Sequence, residues 1–427
     1  HADGEANVGL TVDVIPVRLS EPDILYGPVC VNSLANIVKL KNDKETGGEQ
    51  GAPEDAEANE KARVEKLMRE ADIIMRDHRE HGMNIFSPWS GKVFEERDGK
   101  PYVPDLEFGI EFYKKHKFTK PMVYFPVNIL KTNKINRAAR YPEYNASVHV
   151  PIAEKMARYY TQRFKDEGLP GIMFVTVDEP NKKSGIDPND PPDIRQKIAK
   201  ELTHAMKKEG ALMALTCTPE SVNCAIDDLD YWIVAWGRFT TKLYDMAKAH
   251  NAKLCIYANN TMMGNGTYFS RFMFGFFVWA NDIKGMLPWT YATTPGRFPL
   301  NVKTGGGEGK LNVKDNFIGL DGRPVPTIQW ELSREGIDDA RYAFTVQQLA
   351  EKARNESTPE ATAAAEEAEK LIADIKSKVD RNALNYIFED GGNFEPVEED
   401  NWGTKDFEKR RHELAEALKK LASVTAR

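Results

Sequence analysis

The chain of 427 residues has only four cysteines, Cys30, Cys217, Cys224 and Cys255, and no Cys-x-x-Cys pair. That pattern weighs against a disulfide or metal role and leaves the compartment open. Three of the four sit in apolar, strand-like runs, where a thiol serves as a small buried hydrophobe. No apolar run is long enough to span a bilayer; the nearest, Phe272 to Ala280, has the length of a strand. No Gly-x-Gly-x-x-Gly follows a strand pattern and no P-loop occurs, which argues against a nucleotide-binding open sheet. Gly-x-Ser-x-Gly is missing too, which disfavours a hydrolase of the nucleophile-elbow type. Positive charge is not in excess: 58 Lys and Arg face 65 Asp and Glu, a net charge of −7, so no basic nucleic-acid surface is expected. His78 and His81 are three apart on a helical pattern, but no carboxylate or thiol stands at ligand spacing, so neither a metal site nor a cofactor motif is expected.

What is present is a rhythm of strands and helices. Helical periodicity over Lys61–His81, with Val64, Leu67, Met68, Ala71, Ile74 and Met75 on one face, is followed by the helix-stopping Gly82 and a strand at Met83–Pro88. The same alternation continues through a helix at Leu106–His116, a strand at Pro121–Val127, a helix at Pro151–Glu167 and a strand at Ile172–Asp178. Next come a helix at Asp193–Glu209 and strands at Ala211–Cys217 and Tyr231–Trp236. A helix at Thr240–His250 and strands at Lys253–Asn259 and Phe272–Ala280 complete the series. Counted from a first strand at Ile24–Val31, these are eight strands, most separated by helices. Connections of that size predict a parallel sheet, and eight units predict an α/β fold closed as a (β/α)8 TIM-type barrel over about residues 21–350.

Residues 1–20, with alternating Val8–Leu19, read as a terminal strand, and residues 351–427 as helices (Pro359–Val379, Lys405–Val424) packed on the barrel. Lys41–Glu60, charged and holding paired glycines, reads as a surface loop. Asn281–Arg323, rich in Gly and Pro, reads as a long functional loop, followed by an extended run at Val325–Glu331 and a helix from about Ser333.

The chemistry is expected where Gly171-Ile-Met-Phe-Val-Thr-Val-Asp178-Glu179-Pro180 ends. A buried strand stops at two adjacent carboxylates and a proline that cannot continue a ladder. Strand carboxyl ends are where α/β barrels place their reacting groups. Two close acids let one carboxyl stay protonated while the other is ionised, which suits acid/base work on a neutral substrate. The other strand ends contribute Trp89, Asn128, Trp236 with Arg238, Asn259 with Asn260, and Trp279 with Asn281 and Asp282. Indole faces suit sugar C–H surfaces, and amides and carboxylates suit hydroxyls, so the expected partner is a glycan. For each of these a duller role exists: core packing for the tryptophans, turn chemistry for Asn259-Asn260, a charged helix start for Asp178-Glu179.

One stretch carries a family likeness. Phe317-Ile-Gly-Leu-Asp-Gly-Arg-Pro-Val-Pro-Thr-Ile-Gln-Trp330-Glu331-Leu-Ser-Arg334-Glu335-Gly336-Ile337-Asp338-Asp339 resembles the C-terminal signature of the domain of unknown function numbered 4091, related to glycoside hydrolase family 123. Asp178-Glu179-Pro180, Tyr26-Gly27 and His81-Gly82-Met83-Asn84 extend the resemblance over about residues 20–345. The resemblance implies a barrel, often preceded by a β-sandwich of which residues 1–20 would be the last strand. It implies a β-N-acetylgalactosaminidase acting by substrate-assisted retention, with Glu179 as general acid/base and Asp178 orienting the substrate's 2-acetamido group. It also implies a secreted or periplasmic protein that processes polysaccharide. Gln329 stands where the related pattern has Arg, and Phe317-Ile318 where it has Tyr-Pro; if that Arg orients the loop or touches the sugar, substrate choice differs here. Trp330 and Glu331 are candidates for the pocket, whereas Arg334–Asp339 is expected to build the final barrel helix.

Two other readings fit the same residues. One is a conventional two-carboxylate hydrolase on another hexoside, with Glu331 or Asp282 as nucleophile and carboxyl groups about 5–5.5 Å apart. The other is a carbohydrate-binding barrel without turnover.

Overall fold

The computed structural model describes residues 14–28, 54–88, 94–126, 144–181, 193–218, 220–235, 239–258, 268–288, 316–318, 323–356, 358–379 and 404–425. In chain order the strands run β1 (Leu25–Tyr26), β2 (Glu95–Arg97), β3 (Lys100–Tyr102), β4 (Met122–Tyr124), β5 (Ile172–Asp178), β6 (Leu212–Cys217), β7 (Tyr231–Ala235), β8 (Lys253–Ala258) and β9 (Gly285–Pro288). Seven of them form one parallel sheet in the order β1-β9-β8-β7-β6-β5-β4. Helices α1 (Glu54–Glu80), α2 (Pro104–His116), α3 (Ala146–Asp166), α4 (Ile194–Lys208) and α5 (Thr241–Ala249) alternate with the strands. Between β6 and β7 two short 3₁₀ turns, Val222–Cys224 and Ile226–Asp228, take the place of a helix.

Residues 83–88 supply the stave missing between β1 and β4, although they form no regular ladder. The Asn84 and Ile85 N–H groups donate to the Tyr26 carbonyl, and the Thr119 and Lys120 N–H groups donate to the Asn84 carbonyl. The Asn84 side chain completes the seam, accepting from Tyr26 N–H at 2.8 Å and donating to the Ile24 carbonyl at 2.9 Å. The two edges of the sheet are thereby joined, and the fold is an α/β barrel of the (β/α)8 type.

Side-chain alternation confirms closure. Leu25, Ile85, Val123, Met173, Ala214, Ile233, Cys255 and Leu287, one from each stave, belong to a single buried inner cluster. Their chain neighbours Tyr26, Phe86, Tyr124, Phe174, Leu215, Trp232, Ile256 and Met286 belong to the outer core beneath the helices. A period of two with both faces buried is what a parallel barrel requires of its strands.

The structure departs from the sequence reading at several elements. Phe272–Ala280 is helical, not extended: the helical segment Phe269–Ala280 is kinked at Gly275, whose φ of −106° and ψ of −107° are non-helical. An apolar run buried on every side has the same composition in a helix as in a parallel strand. The eighth strand is instead β9, hidden in the Gly- and Pro-rich stretch. Helix α1 begins at Glu54, inside the expected loop, where Glu, Ala and Lys favour helix. Asp98-Gly99, both at positive φ, turn the unanticipated hairpin of β2 and β3. Val14–Leu19 pairs with no strand among the described residues; it leads to Ser20, whose N–H donates to Thr345 Oγ1 at 2.9 Å. The residues before 14, and the sandwich they were expected to end, lie outside the described residues.

The chain closes with β10 (Asn316–Ile318) and β11 (Pro324–Pro326), an antiparallel pair, then helices α6 (Ile328–Asn355), α7 (Pro359–Ser377) and α8 (Thr404–Thr425). Helix α6 starts earlier than expected, because Thr327 caps it by accepting from Trp330 N–H. It packs against both α7 and α8. At Gly336 it also meets the Phe269–Ala280 segment, where a Cβ would stand 2.4 Å from the Arg271 carbonyl oxygen. Asp339, fully buried one turn on, accepts from Arg271 at 2.6 Å and from Arg411 of α8 at 2.7 Å. Arg334–Asp339 therefore lies within the final barrel helix, where Gly336 and Asp339 fasten it to its neighbours.

One buried group on α1 makes stability depend on pH. His78 is enclosed, with Nδ1 2.7 Å from the Ile74 carbonyl oxygen. Burial pushes its imidazole from 6.5 down to about 3, against the pull of that hydrogen bond. The fold thus holds His78 neutral, while the unfolded chain takes up a proton as pH falls through about 6.5. Stability linked to His78 is complete above that pH and drains away below it, by about 2 kcal/mol between pH 7 and 5. Urea unfolding of the wild type and His78→Gln at both pH values checks this. The variant is expected to lose that part of the pH dependence; equal losses in the two proteins would refute it.

Candidate active site

The Asp178-Glu179 pair sits at the carboxyl end of β5, between β4 and β6 of the described sheet. Strict alternation from the inward-facing Val175 would turn Val177 inward and Asp178 toward the helices. The strand does otherwise. Val175 pairs with Ala214, but Asp178 pairs with Thr216, so β5 carries one extra residue there. Thr176 and Val177 both face the helix layer, Thr176 hydrogen-bonding Thr203 of α4 at 2.8 Å and Val177 entering the outer core. The bulge inverts the parity of the strand and brings Asp178 onto the inner face. There Thr216, which continues the inward series from Ala214, donates to Asp178 Oδ1 at 2.8 Å.

Glu179 then bends the chain. Its φ of 44° lies in the left-handed region, unusual for a side chain with Cβ and more so before a proline. Such a conformation costs on the order of 1–3 kcal/mol and persists only where neighbours hold it. Three contacts do so. Glu179 N–H donates to Thr216 Oγ1 at 2.8 Å. Tyr257, an inner-cluster residue near the end of β8, donates its hydroxyl to Glu179 Oε1. Arg195, buried in the first turn of α4, donates to the Asp178 carbonyl.

The electrostatics assign donors and acceptors. Burial and then the adjacent Glu179 and Asp178 carboxyls push the Tyr257 phenol far above its ordinary value, so it stays protonated and donates. With Oε1 accepting from Tyr257, a proton carried by Glu179 sits on Oε2. Thr216 spends a lone pair on Glu179 N–H and its proton on Asp178, an arrangement suited to an ionised Asp178. Two neighbouring carboxyls are thus held in different settings, the condition for one to donate a proton while the other bears charge.

Of the other residues named from sequence, Trp89, Asn128, Trp236, Arg238, Asn259 and Asn260 lie outside the described residues. Trp279 does not join the pair. It is on the Phe269–Ala280 segment, and its indole N–H donates to Gln347 of α6 at 2.8 Å. Asp282 pairs with Lys284 at 2.5 Å just ahead of β9, at the amino end of the barrel, opposite Asp178. Both were displaced because the expected eighth strand is a helix. Trp330 is buried against α1, donating to Asp77 at 3.0 Å and packing on the His78 and His81 rings. Glu331 lies 3.4 Å from His81 Nε2 and takes Arg334 at 3.0 Å. These two belong to the seam between α1 and α6, because the run that carries them is the first turn of a helix. Among the described residues, no three His, Cys, Asp or Glu side chains gather as a metal site requires.

Thr216, Tyr257 and Arg195 were missed. The residues just beyond each strand are the ones a sequence singles out, whereas Thr216 and Tyr257 are the last inward-facing positions within theirs. Arg195 did leave a trace: a cation in the first turn of a helix opposes the helix dipole and calls for another partner.

No protein-family profile matches this chain, and no curated protein does. Solved structures give distant likenesses. A fungal β-1,4-galactanase superposes with a TM-score of 0.42 and 10% identity over 73% of this chain and 99% of its own. A family 5 lichenase from Caldicellulosiruptor sp. F32 gives 0.40 and 11% over 78% and 99%. An endo-β-1,4-mannanase from Thermotoga petrophila gives 0.38 and 11% over 62% and 72%. Likenesses this remote assign neither a family nor a chemistry.

Proposed function

We propose that the chain is a glycoside hydrolase, a retaining exo-β-N-acetylhexosaminidase of the family 123 kind, working by substrate-assisted catalysis. The observation that carries this reading is the bulge that turns Asp178 inward beside Glu179, with Thr216 on one carboxylate and Tyr257 on the other. Glu179 protonates the glycosidic oxygen from Oε2. The substrate's acetamido carbonyl attacks the anomeric carbon, and Asp178 takes the acetamido N–H and balances the charge of the oxazolinium that forms. Glu179 then removes a proton from the incoming water. No protein nucleophile is needed, a recognised exception among glycosidases.

Geometry favours this over the two-carboxylate mechanism. The second carboxylates named for that role, Asp282 and Glu331, lie at the opposite end of the barrel and on its outer helix seam. The test is hydrolysis of aryl β-N-acetylgalactosaminide, β-N-acetylglucosaminide and plain β-galactoside, with the matching thiazoline as inhibitor. Turnover of an acetamido sugar, blocked by the thiazoline, is expected. Turnover of the plain galactoside alone would favour a protein nucleophile. Saturable glycan binding without product would favour a binding barrel.

A further inference from the structure

We propose that Thr216 is the positioning residue of this pair: one hydroxyl, accepting from Glu179 N–H and donating to Asp178 Oδ1, couples the left-handed turn to the charge of the neighbouring carboxylate. The inference rests on reading Asp178 and Glu179 as the reacting groups. An amide N–H can only donate, so the Thr216 oxygen accepts there and its own proton is directed to Asp178. A hydrogen bond to the charged form of an acid stabilises that form. The Thr216 hydroxyl is buried on the inner face while Asp178 is half-buried, so the interaction is shielded from water on the Thr216 side.

The bulge makes this contact available. Without the extra residue in β5, Asp178 would face the helices and Thr216 would face an apolar side chain. Thr216 is thus the register mark that the inverted strand fits, and valine, its isostere, removes the hydroxyl without changing the shape. Serine keeps it.

The experiment is a carboxyl ¹³C NMR titration of protein labelled at aspartate, with the Asp178 resonance assigned by its loss in Asp178→Asn. In the wild type Asp178 is expected below the ordinary aspartate value of about 3.9. In Thr216→Val it is expected to rise by about one to two pH units, and in Thr216→Ser to stay with the wild type. On whichever aryl N-acetylhexosaminide the wild type cleaves, Thr216→Val is expected to lower kcat by about 10–100-fold with KM little changed. The acidic limb of its profile should move up with Asp178, and serine should restore both. An Asp178 titration unmoved in Thr216→Val overturns the inference whatever the activity. If that variant does not fold, a wild-type Asp178 at or above the ordinary value overturns it. A wild type that cleaves none of these sugars removes the hydrolase reading, while the titration still decides the role of Thr216.

Discussion

Glu179→Gln is expected to lower kcat on an aryl β-N-acetylhexosaminide by about 10²–10⁴-fold, the usual worth of a general acid/base. Glutamine keeps the volume of the side chain and an oxygen for Tyr257, so the left-handed turn and its hydrogen bonds to Thr216 are retained. The unfolding midpoint should therefore move little, which separates lost chemistry from lost structure. The deficit should also depend on the leaving group. A dinitrophenyl glycoside departs without a proton, so the bond-breaking step should recover with that substrate while it remains slow for a methylumbelliferyl glycoside. A variant that keeps wild-type kcat on both would remove Glu179 from the mechanism.

Gly27→Ala is expected to destabilise the fold by about 3 kcal/mol or more, the upper range of overpacking in a rigid core. The reason is the barrel seam. A Cβ at position 27 would stand 2.0 Å from the Ile85 carbonyl oxygen and 2.8 Å from Ile85 Cγ1. The first of these is backbone and has no rotamer to escape into. Relief requires the 83–88 stave to move away from β1, which strains the hydrogen bonds of Asn84 and Ile85 to Tyr26. Urea unfolding measures the effect, and a midpoint equal to that of the wild type would mean that this seam does not close the barrel. Gly27, part of the family likeness, thus has a packing reason at this seam.

Much of the fold was legible. Ile172–Asp178, Ala211–Cys217, Tyr231–Trp236 and Lys253–Asn259 read as strands from their apolar runs, and β5 to β8 occupy those places. The helices at Leu106–His116, Asp193–Glu209 and Thr240–His250 came within two residues of α2, α4 and α5 at each end. Amphipathic periodicity and glycine stops are local signals, and a local window contains them. The last strand was misplaced because Phe272–Ala280 is apolar all round. Helix and strand then differ only in what surrounds them, and here Gly336 of α6 packs against the backbone at Arg271 and Gly275, which only a tertiary contact reveals.

By itself the sequence determined the class of fold, the position of an acidic pair at a strand end, and the helical tail, since all three follow from periodicity and from residue types adjacent in the chain. Only the tertiary structure decided which way Asp178 faces. A single extra residue in β5 reverses strand parity, and it is recognised by pairing with β6, 38 positions away at Thr216. The same holds for Tyr257, 78 positions from Glu179. Side-chain direction in a strand has period two, so one unpaired residue changes it completely, and hydrogen-bond partners across a barrel share no local pattern that would announce them.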